Sequence, residues 1–497
     1  YAGRGLFAEW FGPRNLIPCP RFKLKDNFSL YPTFTASEVA SGNLGIPAFS
    51  LPTGVGEDYV PYVNDANNPT EVIGYRNGES WFDATGAPVS SNVIAGASGG
   101  RVQPAVKSSE VSVESFEDYA PQTVVMPRIS FSFPITDMAS FFAHYDVLSQ
   151  RPGQLFQTQS SLLAGRISDY VFLENRPTAT IINPNLRPEI TIDYEAGFKQ
   201  RLGNNMALTI SAYYRELRNQ IRFRRFANAY PFSYDTYDNL DFGTVKGFSF
   251  AYNMRRTRNV ALQASYTLQF ADATGSDFSS ARAVVNFLEG VGVLRVPLPV
   301  NNDQRHRFTG NIDYRFSGRN AQSWGPRLKI AGKDRYPLRD FGINLTGYIG
   351  SGTPFTRNAV PVPSVASGVN IVNQTEGTPN GVRQPWQFRI DGRIDKTFTL
   401  GGNVKTGKDG KDFKSNAYGL NVYLTVFNVF DTRNVINVYR FTGLPDDDGY
   451  LTSDTGRQAI VSQIDPQAYI DHYTLRLANP NNFSVPRRIQ LGLMFNF

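Results

Sequence analysis

The chain ends on RRIQLGLMFNF, Arg487 to Phe497, and this stretch restricts the possible folds more than any other. Ile489, Leu491, Leu493, Phe495 and Phe497 alternate with Gln490, Gly492, Met494 and Asn496, so a strand here carries one wholly apolar face and one small, polar or mixed face. A soluble domain usually lets its last residues fray. A strand that stops on an aromatic, with no polar tail, fits a barrel wall with its apolar side to lipid and its other side to a wet lumen. For this segment alone, the alternative is an edge strand of a soluble sandwich.

Composition favours the barrel. Aromatics make up 13% of the 497 residues (25 Tyr, 37 Phe, 4 Trp), yet the mean hydropathy is only -0.32. Alternating lipid-facing and water-facing residues give that combination. No run approaches the roughly 18 consecutive apolar residues of a membrane helix. The 50 basic and 43 acidic residues are spread along the chain, which is not the footprint of a nucleic-acid binder. Cys19 is the single cysteine, so neither a disulfide framework nor a cysteine-based zinc site is available within the chain. The sequence opens on Tyr1 without an initiator Met, as expected of a chain that starts after processing or inside a longer polypeptide.

Residues 1–123 are rich in Gly, Pro and Asn, with turn clusters at Asn64 to Thr70, Tyr75 to Gly86 and Ala95 to Gly100. They read mostly as a long extracellular loop region with room for earlier barrel strands. Residues 124–497 read as barrel strands. Period two begins in VVMPRISFSF near Val124, and PITD at Pro134 to Asp137 reads as a tight turn into ASFFAHYDVL. Further strands are predicted at Glu189 to Leu202, Ala207 to Glu216, Gly247 to Met254, Asn259 to Phe270, Arg305 to Phe316, Phe341 to Gly350, Trp386 to Leu400 and Tyr418 to Phe430. Connections alternate short and long, the asymmetry of an outer-membrane barrel. The polar rows Arg305, Arg307, Thr309, Asn311, Asp313, Arg315 and Gln387, Arg389, Asp391, Arg393, Asp395 suit a hydrated lumen crossed by ion pairs. About eleven strands are counted in this way, an odd number that does not close an even-stranded bacterial barrel by itself.

NPNLRPEITIDYEAGFKQRL (Asn183 to Leu202), DQRHRFTGNIDYRF (Asp303 to Phe316), YIGSGTPFT (Tyr348 to Thr356) and FNVFDTRN (Phe427 to Asn434) resemble strands of TonB-dependent outer-membrane receptors. PQTVVMPRISFSFPITD, FFAHYDVLSQRP and FTGLPDDDGYL are most similar to the Oar-like and SusC-like branch of Bacteroidetes. The resemblance implies an all-β fold, the C-terminal part of a 22-stranded transmembrane antiparallel β-barrel with long extracellular loops. It also implies a plug domain, which is not found in this sequence, and energy supplied through TonB. Leu493, Phe495 and Phe497 would then be the terminal signal read by the barrel assembly machinery. The implied function is uptake of a large nutrient, an oligosaccharide, peptide or chelate. The alternative is a non-transporting outer-membrane component that binds protein partners, such as a surface lipoprotein or a larger complex, through its loops.

The histidines, His144, His306 and His472, lie far apart, and no catalytic or metal-ligand spacing is present, so no enzyme is expected. Asp446, Asp447 and Asp448 in GLPDDDGY form the one concentrated carboxylate cluster. Consecutive carboxylates before a Gly turn can serve calcium, but the spacing is not that of an EF-hand and a solvated loop is the simpler account. Trp81, Phe82, Tyr230, Phe232, Tyr234 and Tyr237 are candidate stacking rings for a ligand or partner, with packing on one another or a place in the interfacial girdle as the alternative.

Overall fold

The computed structural model describes residues 22–24, 28–110, 116–118, 122–152, 180–181, 183, 185–226, 228–277, 280, 296–316, 325–330, 333–365, 374–400, 404–406, 412–414 and 418–496. Tyr1, Cys19 and Phe497 lie outside them.

A folded unit precedes the barrel strands. Helix α1 (Ala36–Ala40) is followed by a four-stranded antiparallel sheet of β1 (Val60–Val63), β2 (Val72–Asn77), β3 (Ser80–Asp83) and β4 (Pro88–Val89), then by α2 (Ser91–Ala97). Thr35 caps α1 and Glu38 returns the bond to the Thr35 N–H, a reciprocal cap. The sequence suggests mostly loop with room for barrel strands here, because strands of two to six residues are too short to display a period of two. Asn64 to Thr70 does connect β1 to β2, but Tyr75 to Gly86, expected as turn, holds the end of β2 and all of β3, and Ala95 to Gly100 begins within α2.

Eleven strands form one antiparallel meander: β5 (Arg128–Thr136), β6 (Ala139–Gln150), β7 (Glu189–Arg201), β8 (Met206–Phe226), β9 (Tyr234–Thr257), β10 (Val260–Ala273), β11 (His306–Arg315), β12 (Phe341–Gly350), β13 (Gln387–Leu400), β14 (Tyr418–Phe427) and β15 (Arg488–Asn496). Among the described residues upstream of Val124, no strand joins this sheet. Pro134 to Thr136 belong to β5, and the turn expected there falls at Asp137 and Met138. Proline has no N–H for the ladder, and the register slips between Pro134 and Thr136.

β8 and β9 are 21 and 24 residues long, about twice what a bilayer needs. Their outer halves, read from sequence as loop, continue the pairing out to Phe226 opposite Tyr234. Period two is lost there because both faces have left the lipid. A bulge at Arg218 and Asn219, the latter at φ 56, marks the departure. Two further helices, α3 (Asp454–Val461) and α4 (Pro466–Leu477), lie in the connection between β14 and β15, capped by Ser453 and Asp465.

The outward face of the sheet is apolar and exposed. In one cross-strand row Phe133, Phe141, Phe198, Ile210, Phe250, Tyr266, Phe308, Ile349 and Phe388 sit opposite one another in turn. Phe133 is 53% exposed and Phe198 51%, values that only a lipid solvent makes sense of. Tyr145, Tyr194 and Tyr214 stand nearer the long-loop end, with ring centroids 5.2 and 6.2 Å apart. Aromatic girdles of this kind mark membrane interfaces.

Candidate functional site

The opposite face of the sheet is polar, and its charges are mostly paired. Arg315 grips Asp395 with both terminal nitrogens, at 2.8 and 2.6 Å. Asn421 donates to the same carboxylate at 3.1 Å. Arg215 meets Asp193 at 3.0 Å, Arg256 meets Asp313 at 2.7 Å, Arg389 meets Asp391 at 2.8 Å and Arg128 meets Asp146 at 3.0 Å. His144 lies 3.5 Å from Glu195. Fixed charges of both signs on one wall, with apolar residues on the other, define an aqueous lumen.

Glycines make room for these side chains. At Gly342 a β-carbon would meet the Arg315 guanidinium at 2.6 Å, so a side chain there would displace Arg315 from the path by which it crosses β12 to reach Asp395. Neither the pairing nor the recess could be read from sequence, since the partners are 80 residues apart.

At the long-loop end two groups of segments are locked together. The N-terminal unit packs on the outer half of the β8–β9 hairpin: Phe28, Tyr62, Trp81, Ile94 and Val102 share one core with Phe226, Ala229 and Tyr234. Leu30 N–H donates to the Tyr230 carbonyl at 2.8 Å, and Arg224 bridges Glu79 at 2.5 Å and Asp238 at 2.8 Å. The second group joins the connections after β10, β12 and β14. Arg383 donates to the Asp303 carbonyl at 2.7 Å and also grips the Asp303 carboxylate, which is 1% exposed and accepts from Ala271 N–H at 3.1 Å. Asn380 donates to the Pro299 carbonyl at 2.8 Å. Asp448 accepts from Ser364 N–H at 3.0 Å, Tyr450 N–H at 3.0 Å and the Tyr473 hydroxyl at 2.6 Å. Burial pushes the Tyr473 hydroxyl well above its ordinary range, and the Asp448 carboxylate pushes it further.

The residues singled out from sequence fall as follows. Asp446 and Asp447 are exposed while Asp448 is buried. Asp447 accepts from Gly449 N–H at 2.8 Å, so Asp447 and Asp448 point oxygens at the protein's own donors. Among the described residues no group of three or more His, Cys, Asp or Glu side chains is arranged to hold a metal ion. Trp81 is buried against Tyr62 (4.9 Å) and Phe28 (5.6 Å), and Tyr234 stacks on Phe226 at 5.1 Å in the same core. Tyr237 is buried in a separate cluster beside Phe223. Tyr230 is half-buried edge-on to Tyr31, Phe82 lies against Tyr59, and Phe232 is half-buried. Leu493 and Phe495 face outward, 68% and 54% exposed. Phe497 lies outside the described residues.

A lipid-facing belt, an ion-paired inner wall and folded loops at one rim are on one sheet, and the family model described as TonB dependent receptor-like, beta-barrel matches residues 93–429. The chain belongs to that family. It is accordingly a β-barrel protein of the outer membrane, with its long connections extracellular. Several solved receptors of this family are similar in part. The ferric-catecholate import receptor Fiu from E. coli K12, in its closed form, is 14% identical over 68% of this chain and 34% of its own, with a TM-score of 0.36. FpvA of P. aeruginosa bound to a heterologous pyoverdine–iron complex is 12% identical over 76% and 34%, with a TM-score of 0.39. The FrpB iron transporter of Neisseria meningitidis (F5-1 variant) is 14% identical over 65% and 37%, with a TM-score of 0.36. The chain thus spans about a third of the length of these family members, and no curated protein matches it.

Proposed function

We propose that the chain is the C-terminal portion of a TonB-dependent transporter that takes up a large nutrient across the outer membrane. The single observation that carries this reading is the inner wall: Arg315–Asp395, Arg256–Asp313, Arg215–Asp193 and Arg389–Asp391 place fixed charge along a face that lipid cannot solvate. Such a wall serves a solute path. In this reading TonB acts through a plug that is not among the described residues, and the nutrient is an oligosaccharide, peptide or chelate. The interlocked outer segments form the receiving surface.

A second reading has one observation in its favour. The N-terminal unit is folded against the β8–β9 hairpin through a core of its own, which suits a platform for a protein partner as well as a receptor mouth. Deleting the protein, and separately TonB, in the native host separates the two readings. Matching loss of uptake of one nutrient supports transport. Normal uptake in both strains, together with a loss of other surface proteins from the outer membrane, would leave the platform reading in its place. The intact mass of the protein taken from its membrane gives the extent of the polypeptide that carries these residues.

A further inference from the structure

We propose that the connection from β11 to β12 folds outward over the lipid-facing wall at the periplasmic rim and holds anionic phospholipid headgroups of that leaflet with Arg327, Lys329 and Arg335. The inference rests on the placement of the barrel and not on the uptake reading, and it holds for a transporter and a platform alike.

The long connections are extracellular, so the remaining ones lie at the periplasmic rim. There β5–β6, β7–β8 and β9–β10 are joined by two to four residues, whereas β11–β12 is joined by residues 316–340. Adjacent antiparallel strands need only a two-residue turn. The extra length is therefore free to do something else.

Its course is set by residues of the outward rows. Lys396 lies between Ile394 and Phe398, which are exposed on the apolar face, and is directly opposite Phe341. From that face its ammonium donates to the Pro337 carbonyl at 2.8 Å and also to the Arg339 carbonyl. Phe316 continues the outward row of Phe308 and Ile312, and Gly325 is pressed between it and Leu338, where a β-carbon would come within 3.1 Å of each. Phe316 N–H donates to the Phe341 carbonyl at 2.9 Å and Asp340 N–H to the Phe316 carbonyl at 2.7 Å, which closes the root. Both ends of the connection are thus held on the lipid side of the wall and not beneath the lumen.

Between these ends Leu328–Ile330 pairs with Lys333–Arg335 in a short hairpin. Leu328, 49% exposed, is directly opposite Arg335, so an apolar and a cationic side chain share one face. Lys329 is opposite Asp334, and Arg327 meets the same carboxylate at 3.2 Å, so one acid serves two cations. Arg327, Lys329 and Arg335 are all exposed. The neighbouring β9–β10 turn adds to the positive rim: Arg256 takes Asp313 at 2.7 Å, while Arg255 and Arg258 have no carboxylate partner among the described residues.

An exposed leucine among arginines and lysines, at the level where the wall leaves the hydrocarbon, is the chemistry of a segment lying in a bilayer surface, with apolar stems buried and charged heads on phosphate. Each cation near an anionic surface is worth about fivefold in binding. An acidic protein partner would use the same cations, but it would require neither Leu328 nor a course along the lipid side. That course favours phospholipid.

The test places a tryptophan at the hairpin, Leu328→Trp, in the full protein taken from its native membrane and reconstituted into phosphatidylcholine vesicles. Quenching by acyl-brominated phosphatidylglycerol is compared with quenching by brominated phosphatidylcholine, each measured against the protein without the substitution. Phosphatidylglycerol is expected to be preferred about fivefold or more at the introduced ring, and added salt should reduce the preference. Adding Arg327→Gln, Lys329→Gln and Arg335→Gln together should bring it to near parity while phosphatidylcholine still quenches. The heat-resistant barrel band on electrophoresis checks that each variant is folded. Equal quenching by the two lipids with the native charges in place, or an unchanged preference in the folded triple variant, overturns the inference. Quenching by neither lipid also overturns it and gives the surface to an acidic protein partner. No arm reads uptake, so failure of the transport reading leaves the result as it stands.

Discussion

The ring of Tyr423 on β14 lies across Gly492 on β15, so near that a β-carbon on residue 492 would fall 2.2 Å from its Cζ. The two residues are directly opposite in the ladder. A larger residue at 492 must therefore push the ring off the wall, along with Arg393 which rests on it. Gly492→Val is expected to destabilise the β14–β15 pair by about 1–3 kcal/mol, the usual range for overpacking, and to lower the temperature at which the folded band converts on electrophoresis. Adding Tyr423→Ala should recover most of the loss; an additive penalty would mean the ring is not the obstacle.

The outward row of β15 predicts an asymmetry between neighbours. Leu491 is 71% exposed on the apolar side, and Gln490 lies in the lumen row with Thr425. Leu491→Arg should cost about 2–4 kcal/mol if it sits near the bilayer midplane and sharply reduce the folded protein recovered from the outer membrane. Gln490→Arg should be recovered at near-native level. Equal recovery would reverse the assignment of the two faces.

Arg222 and Asp241 form a pair in the outer half of the β8–β9 hairpin, 2.9 Å apart with side chains only 6% and 3% exposed. Thr274 donates to the same Asp241 oxygen at 2.8 Å and so ties in the strand end of β10. Removing one partner leaves a buried charge, so Arg222→Ala is expected to cost about 3–5 kcal/mol locally. Protease added to whole cells should then cut the hairpin, which it spares in the native protein. Arg222→Ala with Asp241→Ala should be less damaging than Arg222→Ala alone.

Acid should loosen the N-terminal unit through Glu38. Its hydrogen bond to Lys107, with the Thr35 N–H also donating to it, holds the carboxyl below its ordinary value of 4.5. A lowered folded-state pKa gives stability that is complete above the unfolded value and is lost as pH falls through the folded one. The effect is modest, since the Glu38 side chain is 38% exposed. Protection of the α1 amides, taken relative to their intrinsic exchange rate at each pH, should fall on acidification below the ordinary carboxylate range. In Glu38→Gln the protection should already be lower at neutral pH and should depend less on pH; unchanged acid sensitivity would mean another group controls it.

The wall of the barrel was legible in the sequence because a bilayer enforces strict alternation: in Arg305 to Phe316 and Trp386 to Leu400 the arginines and aspartates fall in one row, with only Lys396 in the other, where its ammonium donates to the Pro337 carbonyl, and the structure keeps those rows together. Where lipid stops, the signal stops. RNQIRFRRF and YDTYDNLDF carry charge on both faces and lie outside the strands predicted from sequence, yet they pair in register beyond the membrane. Local cap chemistry could have exposed more. Thr35 with Glu38, Ser453 with Gly456 and Asp465 with Pro466 are helix starts whose signatures are present in the chain. The state of each lumen arginine was not legible at all, because Arg315 and Arg393 look alike in sequence and differ only in what crosses the strands to meet them.

Ten reversals separate β5 from β15, so the two edges of the eleven-stranded meander point the same way. Their unpaired backbone groups would cost several kcal/mol each in hydrocarbon. Curling the sheet until these edges met would join them in parallel. A second copy inserted the same way round would do likewise, setting the β5 of one beside the β15 of the other in parallel. An antiparallel cylinder containing this sheet must therefore take an odd number of strands from elsewhere, with the first and last of them both running opposite to β5 and β15.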